Sequence, residues 1–455
     1  MATQSFFRHI ALLSAGLVCL TSAAFAAPAA TPTAAAPVTA NSAAANTAQT
    51  SIAGNNGPGT ALPPGQVAAA SAAQTFPTTG AAPANANMPS MVPSAPNANA
   101  AAYILIDANT GTVIAAMNPD ERRQPASLTK LMTMYVISQA LASGQIHLTD
   151  NVRISKKAWQ TGGSKMFVKV NDEVPVDQLV HGIIIDSGND ACVAMAEYVA
   201  GSENAFVDLM NQQAARLGMT NTHFNDVNGL PSDNHYTTAR DLSILARSIV
   251  DDFPQDYKWY SEKWFTYNNI KQPNRNQLLW RDPSVDGMKT GFTDDAGYCL
   301  VASAKKNDMR LIAVVLGAPS VTARFDDAQS LLTYGFRFFG SHKLYSANQA
   351  LTTTRVWKGT AKQVQIGVQR DVFATIPRGA YKNLKAVITL NEPIMAPVKK
   401  GQQLGTLQVQ LNGKVLDSQP LVALQPVASG GFWGNLGDSF SMSLHRMFGK
   451  EKAAS

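Results

Sequence analysis

The spacing of apolar residues changes several times along the chain, and each change predicts a different kind of element. Two short apolar runs, at 103–106 and 113–116, flank a turn-rich stretch and together predict a β-hairpin. After this hairpin the apolar positions follow a helical period that glycine residues interrupt. Helices are predicted at 127–144, 176–187, 189–200, 204–217 and 238–253.

Strand patterns return after these helices. Apolar runs at 285–293, 298–304 and 310–316 predict three strands, and residues 325–339 predict a closing helix. A hairpin, then helices, then strands predict an α/β fold of the α+β kind, in which one central antiparallel sheet carries helices on its faces. This interpretation assigns residues 100–345 to one domain.

The carboxy-terminal part of the chain has a different pattern. Strand-like runs follow one another at fairly regular spacing, at 356–357, 363–368, 372–376, 386–390 and 404–411. Asn412-Gly413 then predicts a tight hairpin turn. Residues 346–428 are therefore predicted to form a small all-β domain.

The end of the chain returns to a helical period. Residues 429–455 place Trp433, Leu436, Phe440 and Leu444 on one face, which predicts an amphipathic helix that lies in the plane of a membrane as an anchor. The alternative is a helix packed against the β domain.

The amino-terminal residues predict no folded domain. An apolar run at 10–20 precedes Ala24-Phe25-Ala26, a small-residue cleavage pattern, so residues 1–26 are predicted to be a signal peptide. Residues 27–99 are rich in Ala, Pro, Thr and Asn and contain no charged residue. They bury too little apolar area to offset the entropy lost on ordering, and they predict a disordered tether.

Composition narrows the classes of partner. The net charge of +6 suits a soluble exported protein or one that approaches anionic polymers of the cell envelope. No basic cluster is interleaved with aromatic residues, so no nucleic-acid partner is predicted. Cys192 and Cys299 remain after the predicted cleavage. A disulfide between them stays open, but two buried thiols are the favoured interpretation because both cysteines lie in apolar runs.

The first candidate for chemistry is Ser127-Leu128-Thr129-Lys130 at the start of the first predicted helix. Residues three apart lie on one face of a helix, so the serine hydroxyl and the lysine amine are predicted to face each other. A lysine whose pKa is lowered by burial or by another cation accepts the proton of a serine nucleophile. Alone, the pattern also describes a serine that caps a helix with a lysine on its surface.

Two further motifs change that assessment. Ser187-Gly188-Asn189 lies at the predicted break between two helices, where Ser187 can pass a proton to a leaving amine and the Asn189 amide can hold a carbonyl group. Lys289-Thr290-Gly291 lies in a predicted strand, where a lysine offers a positive charge to a carboxylate and glycine leaves room for a peptide. The three motifs in this order, in helix, loop and strand, indicate a serine acyl-transfer site.

With these motifs, the chain from Ala101 onwards resembles the low-molecular-mass penicillin-binding proteins that are serine-type D-alanyl-D-alanine carboxypeptidases. The resemblance extends to residues 187–191, 260–263, 274–280 and 286–291. It implies a transpeptidase-like domain of the penicillin-binding-protein and β-lactamase kind, followed by a small all-β domain and an amphipathic tail. It also implies a peripheral location on the periplasmic face of the inner membrane.

The resemblance implies a role for each motif residue. Ser127 attacks the bond between two D-alanines of a peptidoglycan stem pentapeptide, Lys130 is the general base, and Ser187 serves the leaving group. The substrate-binding residues implied are Asn189, Lys289, Thr290, Gly291, Phe292 and Arg324. β-Lactams acylate Ser127 as substrate mimics, and no cofactor is implied.

Phe292 and Arg324 need separate comment among these binding residues. The N–H groups of Ser127 and Phe292 are predicted to form an oxyanion hole. Phe292 stands where this family branch often has histidine, which affects pH profile and substrate preference rather than the backbone N–H. Arg324 either pairs with the terminal carboxylate of the substrate or forms a surface ion pair with Asp326 or Asp327.

Three other functions share some of these residues or domains. A class A β-lactamase needs a deacylating glutamate that the sequence does not offer, and it lacks the β domain. A D,D-endopeptidase that cuts peptidoglycan cross-links uses the same residues, and a non-catalytic wall-associated scaffold would not need them. His181 and His235 have no partner at metal-ligand spacing, so no metal site is predicted.

Overall fold

The computed structural model describes residues 92–431 and Asp438. The predicted signal peptide, the predicted tether as far as residue 91 and the predicted anchor helix, apart from its first residues and Asp438, lie outside the described residues. Within them, no helix is long and apolar enough to span a membrane.

The larger domain contains nine strands and eight helices among the described residues. The strands are β1 (Ala102–Asp107), β2 (Val113–Met117), β3 (Asn151–Arg153), β4 (Glu173–Pro175), β5 (Trp264–Tyr267), β6 (Ile270–Pro273), β7 (Val285–Thr293), β8 (Gly297–Lys306) and β9 (Met309–Ala318). The helices are α1 (Lys130–Ala142), α2 (Lys156–Gln160), α3 (Val176–His181), α4 (Asn189–Ala200), α5 (Glu203–Leu217), α6 (Ala239–Asp252), α7 (Leu278–Arg281) and α8 (Val321–Phe338).

Five of these strands form a central antiparallel sheet in the order β2-β1-β9-β8-β7. The amino-terminal hairpin therefore joins the later strands in one sheet, as the sequence predicts. Strands β8 and β9 are buried over most of their length because helices cover both faces of the sheet. Val301 and Val314 face the core shared with α1, α4 and α6, whereas Leu300 and Val315 face the core shared with α8. This arrangement confirms the predicted α+β fold and leaves β7 at an edge.

Local sequence signals explain where several helices begin and end. The side chain of Thr238 accepts a hydrogen bond from the N–H of Asp241 and caps α6. Gly218 has a φ of +79° and ends α5 in the left-handed conformation that glycine adopts without strain. The predicted helix at 176–187 is α3 followed by one π-helical turn, Gly182–Asp186.

The smaller domain is all-β, as predicted. Its strands are β10 (Phe339–Tyr345), β11 (Ala350–Trp357), β12 (Gln363–Gly367), β13 (Val372–Pro377), β14 (Leu384–Leu390), β15 (Ile394–Met395), β16 (Gln403–Leu411) and β17 (Lys414–Ala423). Six of them form one sheet in the order β14-β16-β17-β12-β11-β15, and β10 pairs with β13. Strand β10 precedes the predicted boundary at residue 346 and follows α8 without an intervening residue.

The two domains are joined by hydrogen bonds as well as by the chain. The hydroxyl of Thr375 donates to the buried carboxylate of Asp107 over 2.8 Å and lies 2.6 Å from the Thr110 hydroxyl. The Asn109 amide donates to Ser341 Oγ over 3.1 Å. The turn between β1 and β2 therefore seats on β10 and β13 of the smaller domain.

The end of the predicted tether is ordered against the larger domain. The Tyr334 hydroxyl on α8 donates to the carbonyl oxygen of Pro93, and the N–H of Asn99 donates to the Asp327 carboxylate. Val92 and Ala95 pack against the α8 side of the core. Composition predicted disorder for residues 92–99, but these residues are ordered. Composition gives no signal for this order, because the segment is held partly through its backbone groups.

Both cysteines of the described residues are free and buried. The favoured interpretation from sequence is therefore confirmed, and Cys192 and Cys299 do not form a disulfide.

Candidate active site

Ser127 and Lys130 meet at the start of α1. A short 3₁₀ turn, Ala126–Thr129, carries the serine and leads into the helix. Lys130 Nζ lies 3.0 Å from Ser127 Oγ and donates to the carbonyl oxygen of Asn228 over 2.7 Å. The lysine side chain is 1% exposed, and this burial lowers its pKa. A buried lysine with a lowered pKa, in contact with a hydroxyl, is equipped to accept the serine proton.

The loop that holds Lys130 was not identified from the sequence. The carboxylate of Asp226 accepts hydrogen bonds from the N–H groups of Asn228 and Gly229, at 2.8 Å and 2.5 Å. Gly229 has a φ of +86°, and a β-carbon there would collide with the carbonyl oxygen of Ala126. The loop therefore lies directly against the turn that carries Ser127.

His235 supports the same loop. Its Nε2 lies 2.9 Å from the Thr129 hydroxyl, and its Nδ1 lies 3.4 Å from a carboxylate oxygen of Asp226. These contacts are of the kind expected for the ordinary loop role that the sequence favours, and they place His235 beside the turn that carries Ser127. Across residues 92–431 and Asp438, no group of three or more His, Cys, Asp or Glu side chains is arranged to hold a metal ion.

Ser187 enters the site from the end of the π-helical turn. Its φ of 60° and ψ of 36° place it in the left-handed region, which is uncommon for a serine and is held here by the surrounding helices. The residue is buried, and its Oγ has no hydrogen-bond partner among the residues described. A buried hydroxyl that has no described partner is available to pass a proton to a bound ligand.

The loop at 162–168 forms one wall beside Ser187. Asn189 Nδ2 donates to the carbonyl oxygen of Gly162 over 2.7 Å, and the N–H of Asn189 donates to that of Ser164. The Asp190 carboxylate accepts bonds from the N–H groups of Met166 and Phe167. The predicted ligand-binding amide of Asn189 therefore also fixes this wall.

The edge strand β7 supplies the third motif. The Lys289 side chain is buried, and burial together with repulsion from Lys130 lowers its pKa well below the usual range. Its Nζ donates to the carbonyl oxygen of Thr290 over 3.2 Å. A β-carbon at Gly291 would lie 3.1 Å from the Pro125 carbonyl oxygen, so glycine here allows β7 to approach the Ser127 turn.

Arg324 belongs to this site rather than to the surface. Its Nη1 donates to the carbonyl oxygen of Gly291 over 3.1 Å, and the residue is 8% exposed. The alternative ion pair with Asp326 or Asp327 is wrong: Asp326 pairs with Arg281, and Asp327 accepts from Asn99. The guanidinium therefore remains beside β7, where an anionic ligand would neutralise it.

Phe292 lies at the mouth of the site. Its side chain is 47% exposed, and its ring stacks on Tyr298 with a centroid distance of 4.3 Å. The Arg324 guanidinium lies 5.5 Å from the centroid of the same Tyr298 ring.

The start of α1 and strand β7 therefore lie against each other: Gly291 approaches the turn that carries Ser127, Lys289 is close enough to Lys130 to repel it, and Arg324 bonds to Gly291. The predicted site residues lie on these two elements, on the segment 187–189 and on α8. They are Ser127, Lys130, Ser187, Asn189, Lys289, Thr290, Gly291, Phe292 and Arg324.

Comparison with known proteins gives matches over both domains. The family described as D-alanyl-D-alanine carboxypeptidase matches residues 89–320, and the C-terminal domain of penicillin-binding protein 5 matches residues 339–429. The D-alanyl-D-alanine carboxypeptidase DacC of Escherichia coli K12 is 49% identical over 363 residues, which cover 78% of this chain and 91% of DacC. DacA of the same strain is 46% identical over 371 residues, 80% of this chain and 92% of DacA.

Among solved structures, penicillin-binding protein 5 from Haemophilus influenzae superposes with a TM-score of 0.71 and 44% identity. The superposition covers 74% of this chain and 99% of that protein. The similarity therefore includes the two domains, their order and nearly the full length of the similar proteins.

Proposed function

The chain belongs to the D-alanyl-D-alanine carboxypeptidase family, and we propose that Ser127 is the nucleophile of its reaction. As a member, it is a serine-type carboxypeptidase, a hydrolase that acts on peptidoglycan. The observation that carries the residue assignment is the 3.0 Å contact between Ser127 Oγ and the buried amine of Lys130. Each step below follows from that pair.

Acylation begins when neutral Lys130 takes the proton of the Ser127 hydroxyl. Oγ then forms a bond to the carbonyl carbon of the penultimate D-alanine, and the N–H groups of Ser127 and Phe292 stabilise the oxyanion. The bond from that carbon to the terminal D-alanine nitrogen breaks. The nitrogen receives the proton from Lys130 through the Ser187 hydroxyl, which has no other described partner.

The remaining groups hold the substrate. Lys289, Thr290 and Arg324 surround the position of the terminal carboxylate, and the Asn189 amide holds a carbonyl of the stem peptide. The peptide backbone lies along β7, whose outer edge has no partner strand among the residues that the structure describes. Water then attacks the acyl-enzyme, with Lys130 as base, and releases the shortened stem peptide and free Ser127.

β-Lactams are proposed to acylate the same serine. Their strained amide occupies the position of the D-alanyl-D-alanine bond, and their carboxylate meets the same cations. Membership in a family of penicillin-binding proteins supports this reaction. The acyl group then stays attached to Ser127.

The proposed reaction is tested by incubating the full chain with a stem pentapeptide and with a cross-linked peptide dimer. Free D-alanine and the tetrapeptide are expected from the first, measured by chromatography and mass. Cleavage of the dimer alone would assign the chain to the endopeptidases. Cleavage of neither, together with no penicillin adduct, would leave a non-catalytic wall-associated scaffold.

The site of action is proposed to be the periplasmic face of the inner membrane. The apolar run and cleavage pattern of residues 1–26 support export, and the apolar face of residues 429–455 supports peripheral anchoring. One residue of that tail, Asp438, accepts bonds from the Lys358 N–H and from Lys362 Nζ of the smaller domain.

Removal of residues 439–455 is expected to move the protein from the membrane fraction to the soluble fraction after cell breakage. This truncation retains Asp438 and its bonds to the smaller domain, so it removes apolar tail residues with little effect on folding. Immunoblots of the two fractions measure the change, and penicillin labelling controls for an intact active site. A truncated protein that still sediments with membranes would contradict the anchor and favour the helix packed on the β domain.

A further inference from the structure

Arg324 is a buried cation that few polar groups hold in place. It lies in the first turn of α8, and the acidic residues that follow it there are engaged elsewhere. Its Nη1 donates to the carbonyl oxygen of Gly291, whereas its buried Nε has no hydrogen-bond partner among the described residues. An arginine side chain has many rotamers, so one bond to a carbonyl oxygen does not fix the position of its guanidinium group.

Two aromatic rings supply the missing contacts. The guanidinium carbon of Arg324 lies 4.8 Å from the centroid of the Phe325 ring and 5.5 Å from that of Tyr298. Both distances lie within the range of cation–π attraction. Phe325 is the next residue on α8 and is fully buried, so it holds the guanidinium from within the helix. Tyr298 is half-buried on β8 and holds it from the sheet.

The Tyr298 ring is itself held by Phe292. The two residues are direct partners across the antiparallel strands β7 and β8, and their rings stack at 4.3 Å and 28°. Cross-strand aromatic pairs of this kind stabilise both side chains in one geometry. A continuous line of contacts therefore runs from Phe292 at the mouth of the site through Tyr298 to Arg324.

An aromatic ring holds an arginine differently from a carboxylate. A carboxylate would neutralise the guanidinium and occupy the N–H donors that a ligand needs. A ring attracts the cation through its π face and accepts no conventional hydrogen bond, so the donors remain available. Tyr298 can therefore fix the position of Arg324 without supplying it with a counter-charge.

We propose that Tyr298 is a positioning residue for carboxylate recognition: its ring holds the Arg324 guanidinium beside the Gly291 carbonyl group, where the guanidinium meets the terminal carboxylate of the substrate. This inference rests on the proposed function, because it assumes that the ligand carboxylate reaches Arg324. Tyr298 acts through Arg324 and need not touch the substrate. The ring carries this role, so a phenylalanine at position 298 should serve as well as tyrosine.

The test measures second-order rates of acylation by penicillin, whose carboxylate stands for that of the substrate, in the full chain. Tyr298→Leu keeps an apolar side chain and removes the π face, and it is expected to lower the rate about 5–20-fold, as loss of a partly desolvated cation–π contact implies. Tyr298→Phe should keep the rate within about twofold of wild type. Tyr198→Leu, at an exposed tyrosine of α4, is the matched control and should acylate at the wild-type rate.

The same substitution in an Arg324→Leu background separates positioning from a general structural role. Arg324→Leu should itself lower the rate, and Tyr298→Leu should then have little further effect, because the two residues act as one unit. An equal loss in both backgrounds would overturn the inference. An unchanged rate for Tyr298→Leu, or for Arg324→Leu, would overturn it as well.

These outcomes leave the proposed reaction intact, because the wild-type protein would still form its acyl-enzyme. Absence of a penicillin adduct on every protein, wild type included, would instead refute the proposed function. Thermal unfolding of each variant shows whether a lower rate reflects a lost contact or a misfolded domain.

A second measurement does not require Tyr298→Leu to fold. Position 298 is filled with phenylalanine that carries no, one, two or three ring fluorines, which withdraw charge from the π face and change the ring size little. The acylation rate is expected to fall stepwise, by about tenfold across the series, and to show no trend in the Arg324→Leu background. A flat series in the presence of Arg324 would overturn the inference.

Discussion

Ser127→Ala is expected to lower release of D-alanine from a stem pentapeptide by at least about a thousandfold and to abolish the penicillin adduct. The alanine variant retains the cleft and its cations but has no oxygen that can form the acyl-enzyme. Intact-mass spectrometry after incubation with penicillin measures the adduct, and chromatography measures D-alanine. Wild-type protein should gain the mass of a single penicillin.

The matched control is Ser143→Ala on the same stretch of chain. The Ser143 hydroxyl donates to the carbonyl oxygen of Ala140 at the end of α1, away from Lys130. This variant should keep wild-type acylation. A penicillin adduct on Ser127→Ala would show that another residue is the nucleophile, with Ser187 as the first to examine.

Lys130→Met and Lys130→Arg are both expected to reduce acylation by at least about a hundredfold. Methionine cannot accept a proton, and arginine does not release its own in proteins. The two replacements distinguish a role of Lys130 as proton acceptor from a role as positive charge. Arginine would preserve activity if Lys130 acted only as a cation. Thermal unfolding checks that both variants are folded, and Lys156→Arg on exposed α2 is the control.

The pH profile gives a sharper criterion for Lys130. Burial lowers the pKa of its amine, and a base must be neutral, so wild-type acylation should rise with pH until Lys130 has lost its proton. The residual acylation of Lys130→Met should lack this rise. A rise that survives in Lys130→Met would assign the base to another group.

Motif residues were predictable from the sequence because spacing alone fixes their neighbours. Ser127 and Lys130 are three residues apart on one helical turn, and Lys289 and Gly291 are two residues apart on one strand. Helix and strand geometry therefore predict that each pair shares one face of its element. The antiparallel sheet followed from the order of apolar runs. The interpretation of Arg324 could not be decided in this way, because α8 reaches β7 only through the tertiary fold.

Partners that act through backbone atoms left no signal in the sequence. Lys130 is held by the carbonyl oxygen of Asn228, which lies 98 positions further along the chain. Any residue offers a carbonyl oxygen, and only the fold brings this one to the amine. Gly229 gave a faint signal as a glycine in a polar loop, but its purpose depends on the nearby Ala126 carbonyl. The π-helical turn before Ser187 was likewise hidden, since its residues have an ordinary helical pattern.

The direct passage from α8 into β10 has a mechanical consequence. Phe338 ends the helix and Phe339 begins the strand. The hydrogen bond from Thr375 to Asp107 also holds the turn between β1 and β2 of the larger domain against the smaller domain. No linker residue separates α8 from β10, so this junction offers no hinge between the two domains. We therefore expect the smaller domain to move together with the larger one at this boundary, so that the orientation of the smaller domain fixes the direction in which the active site faces.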